Sequence, residues 1–383
     1  MGFAERNTIS HEEEGVTIRE ADLLTPDGFL SRFIDDVGRV GEGGKIWVQS
    51  MLKTTSQRRE EPEILDKLAD PLLQAAGRGA QVILGVSNGA QSSFPDLEID
   101  KRAALPLRRH TDEKKERIRA QRQANEAVFR RLTDGGVSIA RLSAPGISQR
   151  LSPIASQVHS KFALISSPDG MRSTYLMEFN LNGLDFGSEN TAIRFEECGD
   201  THPLSDVLFK YARGLYYGID FSDYTESIDS NTTFLADRGR YGKSIISDNA
   251  RKMVQSATSR ISWFSQFNPA PPLLMDLRDA AKRGVRVQVA LSDSCRRGVD
   301  AVLFQRMNRG GLIDARYLPD SDHRGMIHSK LLVADDSALF TSNNLHPAGV
   351  FTGTGEIGML FQDEETVNKL VSYQKSVWEK LEQ

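Results

Sequence analysis

The hydrophobic and polar positions of the chain follow one pattern twice. Leu72–Asn88 reads LLQAAGRGAQVILGVSN, and Leu277–Asp293 reads LRDAAKRGVRVQVALSD. Each stretch has apolar residues at helical spacing, then a turn with glycine, then an apolar run typical of a buried strand. Gly79 and Gly284 fall at the same place, where a helix ends and a left-handed backbone costs glycine little. The pattern predicts two copies of a helix–turn–strand unit.

The similarity continues on both sides of these units. Upstream, the strand-like stretch Lys45–Met51 corresponds to Arg260–Gln266. Downstream, Val128–Leu142 corresponds to Leu303–Leu318, and each is a helical pattern closed by Gly-Gly and followed by a short strand. Elements that recur in the same order predict an α/β fold built by duplication, with mixed sheets flanked by helices.

The ends of the two copies predict the domain boundaries. A closing amphipathic helix is predicted at Pro203–Tyr217, with its counterpart at Glu364–Gln383. Between the copies, the stretch SDYTESIDSNTTF is polar and rich in turn-forming residues. We therefore predict an N-terminal half over residues 1–220, a linker over residues 221–242 and a C-terminal half over residues 243–383.

One segment of the first copy has no counterpart in the second. Residues 100–123 (DKRAALPLRRHTDEKKERIRAQRQ) are rich in arginine and lysine but also contain acidic residues. Such mixed charge is typical of a solvated helix with ion pairs one turn apart. The alternative is a basic surface arm that binds the phosphates of lipid headgroups or of a nucleic-acid backbone.

Composition narrows the functional classes only a little. The chain has 383 residues and a formal net charge of −4, so it offers no global attraction for nucleic acid or anionic lipid. Cys198 and Cys295 lack metal-binding spacing, and the sequence contains no recognisable metal-ligand cluster. It shows no secretory signal and no apolar stretch of ~18 residues. These features predict a cytoplasmic protein that would meet lipid only at the membrane surface.

Two His-x-Lys motifs stand at corresponding places in the two copies. The first comprises His159 and Lys161, the second comprises His328 and Lys330, and each leads into an apolar strand. Strand alternation places both side chains of a motif on one face. A single His-x-Lys motif carries little information, whereas two at matching places in a repeated fold indicate one composite site.

Each motif is followed by an asparagine and then by a glutamate. In the second copy these are Asn344, with Ser342 two residues before it, and Glu356. In the first copy Asn180 and Glu189 stand at similar distances from their histidine. The order of residue types is therefore the same in the two copies.

These residues resemble the HKD motif of the phospholipase D superfamily, His-x-Lys-(x)4-Asp followed by Gly-Ser-x-Asn and a later glutamate. Asp335 completes the second motif, whereas the first has Ser166 at the aspartate position and Glu178 at the serine position. The resemblance runs from about Gly43 to the C-terminus and is to members with two motifs in one chain, such as cardiolipin and phosphatidylserine synthases. It implies the duplicated phospholipase D fold, two mixed β-sheets flanked by helices with pseudo-twofold symmetry.

The resemblance also implies a two-step mechanism that needs no metal and no other cofactor. One histidine forms a covalent phosphohistidine, which water or an alcohol then displaces. By analogy with the family, we assign His159 as the nucleophile and His328 as the acid and base. Lys161 and Lys330 would neutralise the phosphate.

The remaining motif residues have supporting roles under this resemblance. Asn180, Asn344 and Ser342 would add hydrogen-bond donors to the phosphate without adding charge. Glu189 and Glu356 would each accept a hydrogen bond from a histidine and fix its tautomer and direction.

The sequence leaves three functions open. The first is hydrolysis of phospholipids or transfer of a phosphatidyl group to an alcohol, although Leu345–Ala348 departs from the Asp-x-Arg-Ser that usually follows the second asparagine in cardiolipin synthases. The second is an HKD-type nuclease that cleaves DNA or RNA, which the basic segment would serve. The third is a scaffold without activity, suggested by the altered first motif. We favour the lipid enzyme, and the sequence leaves the oligomeric state open.

Overall fold

The structure is a computed structural model. It describes residues 18–52, 64–88, 97–99, 107–109, 112–142, 158–181, 183–199, 201–217, 223–238, 243–297, 299–318, 326–347, 350 and 354–381.

The first copy alternates strands and helices and closes on a long helix. Its elements are β1 (Ile18–Leu24), α1 (Pro26–Gly38), β2 (Lys45–Leu52), α2 (Ile64–Gly77), β3 (Gln81–Asn88), β4 (Leu97–Ile99), β5 (Leu107–Arg109), α3 (Asp112–Asp134), β6 (Ser138–Leu142), β7 (Phe162–Ser166), β8 (Arg172–Met177), α4 (Gly183–Phe186), β9 (Ala192–Glu197) and α5 (Pro203–Tyr217).

The second copy repeats the main helices and strands in this order, with one additional strand at its start and, among the described residues, no counterpart of β4 and β5. Its elements are β10 (Tyr224–Ser227), β11 (Thr232–Arg238), α6 (Ile245–Ser256), β12 (Arg260–Ser265), α7 (Pro271–Lys282), β13 (Arg286–Ser292), a 3-10 turn (Asp293–Arg296), α8 (Val299–Met307), β14 (Asp314–Leu318), β15 (Leu331–Ala334), β16 (Ser337–Thr341), β17 (Gly355–Phe361) and α9 (Glu364–Trp378).

Each copy forms one mixed sheet. The strand order is β1-β9-β8-β7-β2-β3-β6 in the first and β10-β11-β17-β16-β15-β12-β13-β14 in the second. The strands β2, β3 and β6 run parallel, as do β12, β13 and β14, while the other neighbours are antiparallel. Apart from β10 the two orders are identical, which confirms the predicted duplicated α/β fold.

The register of the strands defines equivalent residues in the two copies. Phe162 pairs with Leu176 in the first sheet, just as Leu331 pairs with Phe340 in the second. Gly79, at φ +90°, and Gly284, at φ +92°, end equivalent helices, as predicted.

Most buried apolar residues belong to three layers, of which the third joins the two copies. A smaller cluster packs the second sheet against α9. Of the three layers, one packs α1, α2 and α3 on the outer face of the first sheet, and a second packs α6, α7 and α8 on the outer face of the second sheet. The third lies between the sheets and includes residues of both copies and of α5 and α9. Since this central layer belongs to both copies, burial of its apolar surface stabilises their mutual arrangement.

The predicted linker and the basic segment both contain regular secondary structure. Residues 223–238, assigned to the linker, contain β10 and β11, and β11 pairs along its length with β17. Residues 112–123 of the basic segment form the first part of α3, in keeping with the helical alternative. Residues 100–106, 110 and 111 lie outside the described residues. The division at residues 220 and 242 stays a prediction.

None of the helices in the described ranges combines the length and the apolarity that crossing a bilayer requires.

Candidate active site

The two His-x-Lys stretches lie at the interface between the copies. Val158, just before the first motif, forms a parallel bridge with Gly355 at the start of β17. Ile327, just before the second motif, forms the equivalent bridge with Glu189, which precedes β9. Each stretch is therefore bonded to a strand end of the other copy, and this crossing brings both motifs to one place.

The side chains of both motifs are almost completely enclosed. Lys161, His328 and Lys330 are 0% exposed, and His159 is 8% exposed. Charged side chains are rarely buried to this extent unless they meet a partner or a ligand. Of the two imidazole rings, that of His159 is the one that reaches the surface.

The surroundings of His159 fix its tautomer. Its Nδ1 lies 2.9 Å from the carbonyl oxygen of Ser342 and 3.0 Å from the carboxylate of Glu356. Both neighbours are acceptors when Glu356 is ionised, so Nδ1 carries the proton and donates. Nε2 is then unprotonated, which is the state that a nucleophilic imidazole requires.

The charges around His159 and Glu356 also favour a neutral imidazole. Burial lowers the pKa of His159 to about 4, and the ammonium groups of Lys161 and Lys330 act in the same direction, while Glu356 opposes them. Burial alone would raise the pKa of Glu356, but His159, Lys161 and Ser342 bring it down to about 2. At neutral pH the pair is therefore a neutral imidazole beside an ionised carboxylate.

Each lysine lies against the histidine of its own motif. Nζ of Lys161 is 3.3 Å from Nε2 of His159, and Nζ of Lys330 is 3.2 Å from Nδ1 of His328. Lys330 also donates to the carbonyl of Glu178 in the first copy, at 3.0 Å. Because both ammonium groups act on the His159 ring, a dianionic transition state beside that ring would be stabilised by both.

His328 has a carboxylate neighbour that the sequence analysis missed. Its Nε2 lies 3.5 Å from Oδ2 of Asp185 in α4, a residue that is 1% exposed. The same oxygen accepts hydrogen bonds from the backbone and the side-chain amide of Asn180, at 2.7 and 2.5 Å. Each ring therefore faces a carboxylate of the opposite copy, Glu356 for His159 and Asp185 for His328.

The two predicted phosphate-binding asparagines are buried beside this arrangement. Asn180 is 0% exposed and Asn344 is 6% exposed. Within the described part of the chain, the side-chain oxygens of both are enclosed and make no hydrogen bond. These oxygens are acceptors, and a phosphodiester anion has no proton to give them, so Asn180 and Asn344 could contact a phosphate only through their amide N–H groups.

Ser342 has a different role from the one predicted. Its hydroxyl donates to Oε2 of Glu356 at 2.5 Å and accepts from the amide of Ile357 at 3.0 Å. Since the hydroxyl proton is committed to Glu356, it cannot also be donated to a phosphate. Ser342 therefore holds the carboxylate that orients His159.

The position of Glu189 corrects another prediction. Its carboxylate lies 2.8 Å from Nζ of Lys380 instead of reaching a histidine ring, and only its backbone carbonyl accepts from the amide of His328. The bridges place Glu189 opposite the second motif as Gly355 is placed opposite the first. The residue equivalent to Glu356 is therefore Asn190, one position further along.

Glu178, which replaces the serine of the family pattern, is bonded to the backbone of both copies. Oε1 accepts from the amide of Lys330 at 2.6 Å and from the hydroxyl of Ser329 at 3.1 Å, and Oε2 accepts from the amide of Thr191 at 3.2 Å. Burial raises the pKa of Glu178 to about 7, although Lys330 and these donors oppose the shift. This carboxylate anchors the second motif to the first copy.

Asp335, the aspartate of the second motif, lies away from the histidines. Its carboxylate accepts from the backbone amides of Thr258, Ser259 and Arg260, at 2.7 to 3.0 Å, where the chain enters β12. Asp335 thus closes a turn of the fold. Ser166, its counterpart, ends β7 and pairs with Lys45, so the missing aspartate of the first motif changes a turn and leaves the chemical groups intact.

One region of the chain matches a known family. A protein-family model described as cardiolipin synthase, PLD-like domain, matches residues 250–378. A search of curated proteins finds no match.

Solved structures share the fold over most of the chain. Phosphatidylserine synthase of Haemophilus influenzae Rd KW20 is similar with a TM-score of 0.64 and 13% identity, over 96% of this chain and 88% of that chain. The yeast tyrosyl-DNA phosphodiesterase is similar with a TM-score of 0.50 and 12% identity, over 89% of this chain and 88% of that chain. Polyphosphate kinase from Porphyromonas gingivalis has a TM-score of 0.55 and 14% identity over 93% of this chain, which spans only 50% of that chain.

At these identities the structural likeness shows the fold alone. Residues 250–378 thus match a cardiolipin synthase, PLD-like domain, and the chain as a whole has the fold of the solved structures that it resembles.

Proposed function

We propose that this protein is a metal-independent phosphodiesterase that acts on phospholipids through a covalent intermediate on His159. The observation that carries the proposal is the geometry of His159, whose Nδ1 is committed to Ser342 and Glu356 so that Nε2 is left as a base beside the ammonium group of Lys161.

In the first step, Nε2 of His159 attacks the phosphorus of a bound phosphodiester. A P–N bond forms while the P–O bond to one alcohol breaks, and His328, in its protonated form, gives its proton to the departing oxygen. Lys161 and Lys330 stabilise the charge on the non-bridging oxygens. Glu356 stabilises the positive charge that develops on the His159 ring.

In the second step, His328 is the base. It takes a proton from water or from an alcohol, whose oxygen attacks the phosphorus, and the P–N bond breaks to release neutral His159. Asp185, 3.5 Å from the ring, supports the protonated form of His328 in both steps.

The assignment of the two roles is supported by exposure as well as by tautomer. The side chain of His159 is 11% exposed and that of His328 is 1% exposed. A nucleophile must reach the phosphorus itself, whereas the acid needs only to reach an oxygen attached to it.

The choice of phospholipid is supported by the description of the family model, cardiolipin synthase, for residues 250–378. The likeness to phosphatidylserine synthase covers 96% of this chain. Water as the acceptor would give a hydrolase of the phospholipase D type, and an alcohol would give a phosphatidyl transferase. The family-model description is the observation that favours lipid over nucleic acid.

The mechanism is tested with bis(p-nitrophenyl) phosphate, whose leaving group departs without a proton. A His328→Ala variant should release one equivalent of nitrophenol in a burst and then stall, with a phosphorylated His159 detectable by mass spectrometry. A His159→Ala variant should give neither burst nor adduct. A burst that persists in His159→Ala would overturn the assignment, and loss of wild-type activity in EDTA would overturn metal independence.

The substrate class is tested separately. The wild-type protein is incubated with mixed phospholipid vesicles, with and without added glycerol, and with labelled single- and double-stranded DNA. Release or exchange of headgroups without cleavage of DNA is the expected result. Cleavage of DNA without any change in lipid would instead establish a nuclease.

A further inference from the structure

A cavity of about 350 Å³ lies between the second sheet and α9. It is lined by residues at the beginning of β12 and β13, among them Arg260 and Arg286. The second His-x-Lys motif is at the other end of β12, because Leu331, the first residue of β15, pairs with Phe264. The cavity is therefore distinct from the candidate active site, and its volume is within the range of pockets that bind small molecules.

The duplication accounts for the open space in this cavity. In the first sheet Trp47 pairs with Ile83, and the indole of Trp47 is 4% exposed and packs on Tyr216 of α5. At the equivalent positions in the second sheet Ser262 pairs with Gln288. A serine and an amide thus replace a tryptophan and an isoleucine, and the space that the indole fills in the first copy is left open.

The walls of this cavity carry an excess of positive charge. Arg260 and Arg286 are register partners on neighbouring parallel strands, and Lys375 projects from α9. Glu379, one turn further along α9, is the carboxylate among the lining residues. Three cationic groups around one concave surface favour an anion, and guanidinium groups are well matched to phosphate oxygens.

An apolar wall faces these charges. Trp378 of α9 lines the cavity, and its indole is held by Arg316, 4.5 Å from the ring centre, and by Phe264, at 6.3 Å between ring centres. With its amide oxygen turned toward them, Gln288 lies 3.2 Å from both Arg286 and Nε1 of Trp378. The wall is thus fixed before any ligand binds, which lowers the entropic cost of binding.

We propose that this cavity binds a small organic phosphate, a phosphate monoester whose organic group is small enough to lie in the cavity. The phosphate would lie between Arg260, Arg286 and Lys375, and the organic part would lie against Trp378. Nucleoside monophosphates and glycerophosphate esters both have this chemistry, and the binding experiment distinguishes them.

The test is calorimetric titration of the full chain with AMP, with glycerol 3-phosphate and with inorganic phosphate. Ser262→Trp restores the residue that fills the equivalent space in the first copy, and Arg286→Glu reverses a charge on an exposed side chain without filling the space. Each should weaken binding of the preferred ester at least about tenfold, equivalent to ~1.4 kcal/mol. Tighter binding of AMP than of glycerol 3-phosphate would identify the heterocyclic class, and the reverse order would identify the glycerol class.

Two further variants separate this site from the active site. Arg306→Glu, an exposed charge reversal on α8 outside the cavity, should leave binding unchanged. Lys330→Ala should also leave it unchanged. The proposal is overturned if the esters bind no better than inorganic phosphate, or if binding survives both Ser262→Trp and Arg286→Glu. Loss of binding in Lys330→Ala alone would likewise overturn it, since the phosphate would then occupy the active site.

Discussion

The carboxylate of Glu356 lies 3.0 Å from Nδ1 of His159, although the two residues belong to different copies of the duplicated fold. Ser342 holds the same carboxylate from the other side. Nδ1 of the histidine that we assign as the nucleophile is thus held by two residues of the opposite copy, while Lys161 of its own motif lies 3.3 Å from Nε2.

Glu356→Gln should reduce kcat on bis(p-nitrophenyl) phosphate by on the order of 10²–10⁴-fold, because the charge that orients and stabilises the His159 ring is lost. Activity requires neutral His159, so the wild-type rate should rise as pH increases through about 4, the pKa of this ring. Glu356 opposes the lowering of that pKa, so the acid limb of the variant should move to lower pH. Glu226→Gln, an exposed change, is the matched control. An acid limb that stays in place would argue against direct coupling of Glu356 and His159.

Glu178→Ser should destabilise the protein instead of activating it. The amides of Lys330 and Thr191 and the hydroxyl of Ser329 would lose their acceptor, at a cost of ~1–3 kcal/mol for each buried donor left unsatisfied. The free energy of unfolding from urea titration measures this effect. A variant as stable as the wild type and faster would show that the carboxylate only hinders the substrate.

The double change Glu178→Ser with Asn190→Glu should be less harmful than the sum of the single changes. It rebuilds in the first copy the serine–glutamate pair that Ser342 and Glu356 form in the second. A double-mutant cycle on the free energy of unfolding should therefore give a favourable coupling energy, on the order of 0.5–3 kcal/mol. Additive effects would contradict the equivalence of Asn190 and Glu356.

Asp185→Asn should lower activity, because the carboxylate 3.5 Å from His328 stabilises the ring that gives its proton to the leaving alcohol. The effect should be large with phospholipid and small with a nitrophenyl ester, whose leaving group needs no acid. Asp169→Asn, in an exposed turn, serves as the control. Equal loss with both substrates would assign Asp185 a structural role only.

Asp335→Asn should reduce stability and leave the catalytic rate of the folded protein nearly unchanged. Burial acts to raise the pKa of Asp335, but hydrogen bonds from Ser259, Arg260 and Thr258 hold it well below its usual range. Because the folded-state pKa is depressed, this stabilisation is present above about pH 4, the ordinary range of an aspartate, and is lost at lower pH. The deficit of the variant, ~1–3 kcal/mol at pH 7, should therefore shrink toward pH 3 in urea titrations.

Much of the fold follows from the sequence because the two copies can be compared. The paired helix–glycine–strand units, including Gly79 and Gly284, predict the parallel part of each sheet. The His-x-Lys motifs lie at the ends of equivalent strands, so their meeting place follows once the duplication is recognised. The pairing of each motif with the opposite copy depends on tertiary contacts that no local pattern encodes.

The sequence-based assignments of site residues fail next to the ends of strands. Glu189 and Glu356 both follow a stretch rich in Gly and Ser/Thr, so the two glutamates align in sequence. The strand register shows instead that the counterpart of Glu356 is Asn190. A one-residue shift of the alignment within a strand would move apolar side chains to the wrong face, whereas the same shift in an irregular stretch leaves the hydrophobic pattern unchanged. Asp185 could not be identified from the sequence, because the histidine that it contacts, His328, belongs to the other copy.

His159 and Glu356 are far apart in the sequence, and this distance has a consequence for the growing chain during translation. The two residues are 197 positions apart, so the ribosome releases the histidine long before its carboxylate exists. A nascent or truncated chain that stops before Glu356 would carry an imidazole that is neither aligned nor electrostatically supported. Products that lack Glu356 should thus be inert, and the proposed activity should require a chain that has been made at least as far as this residue.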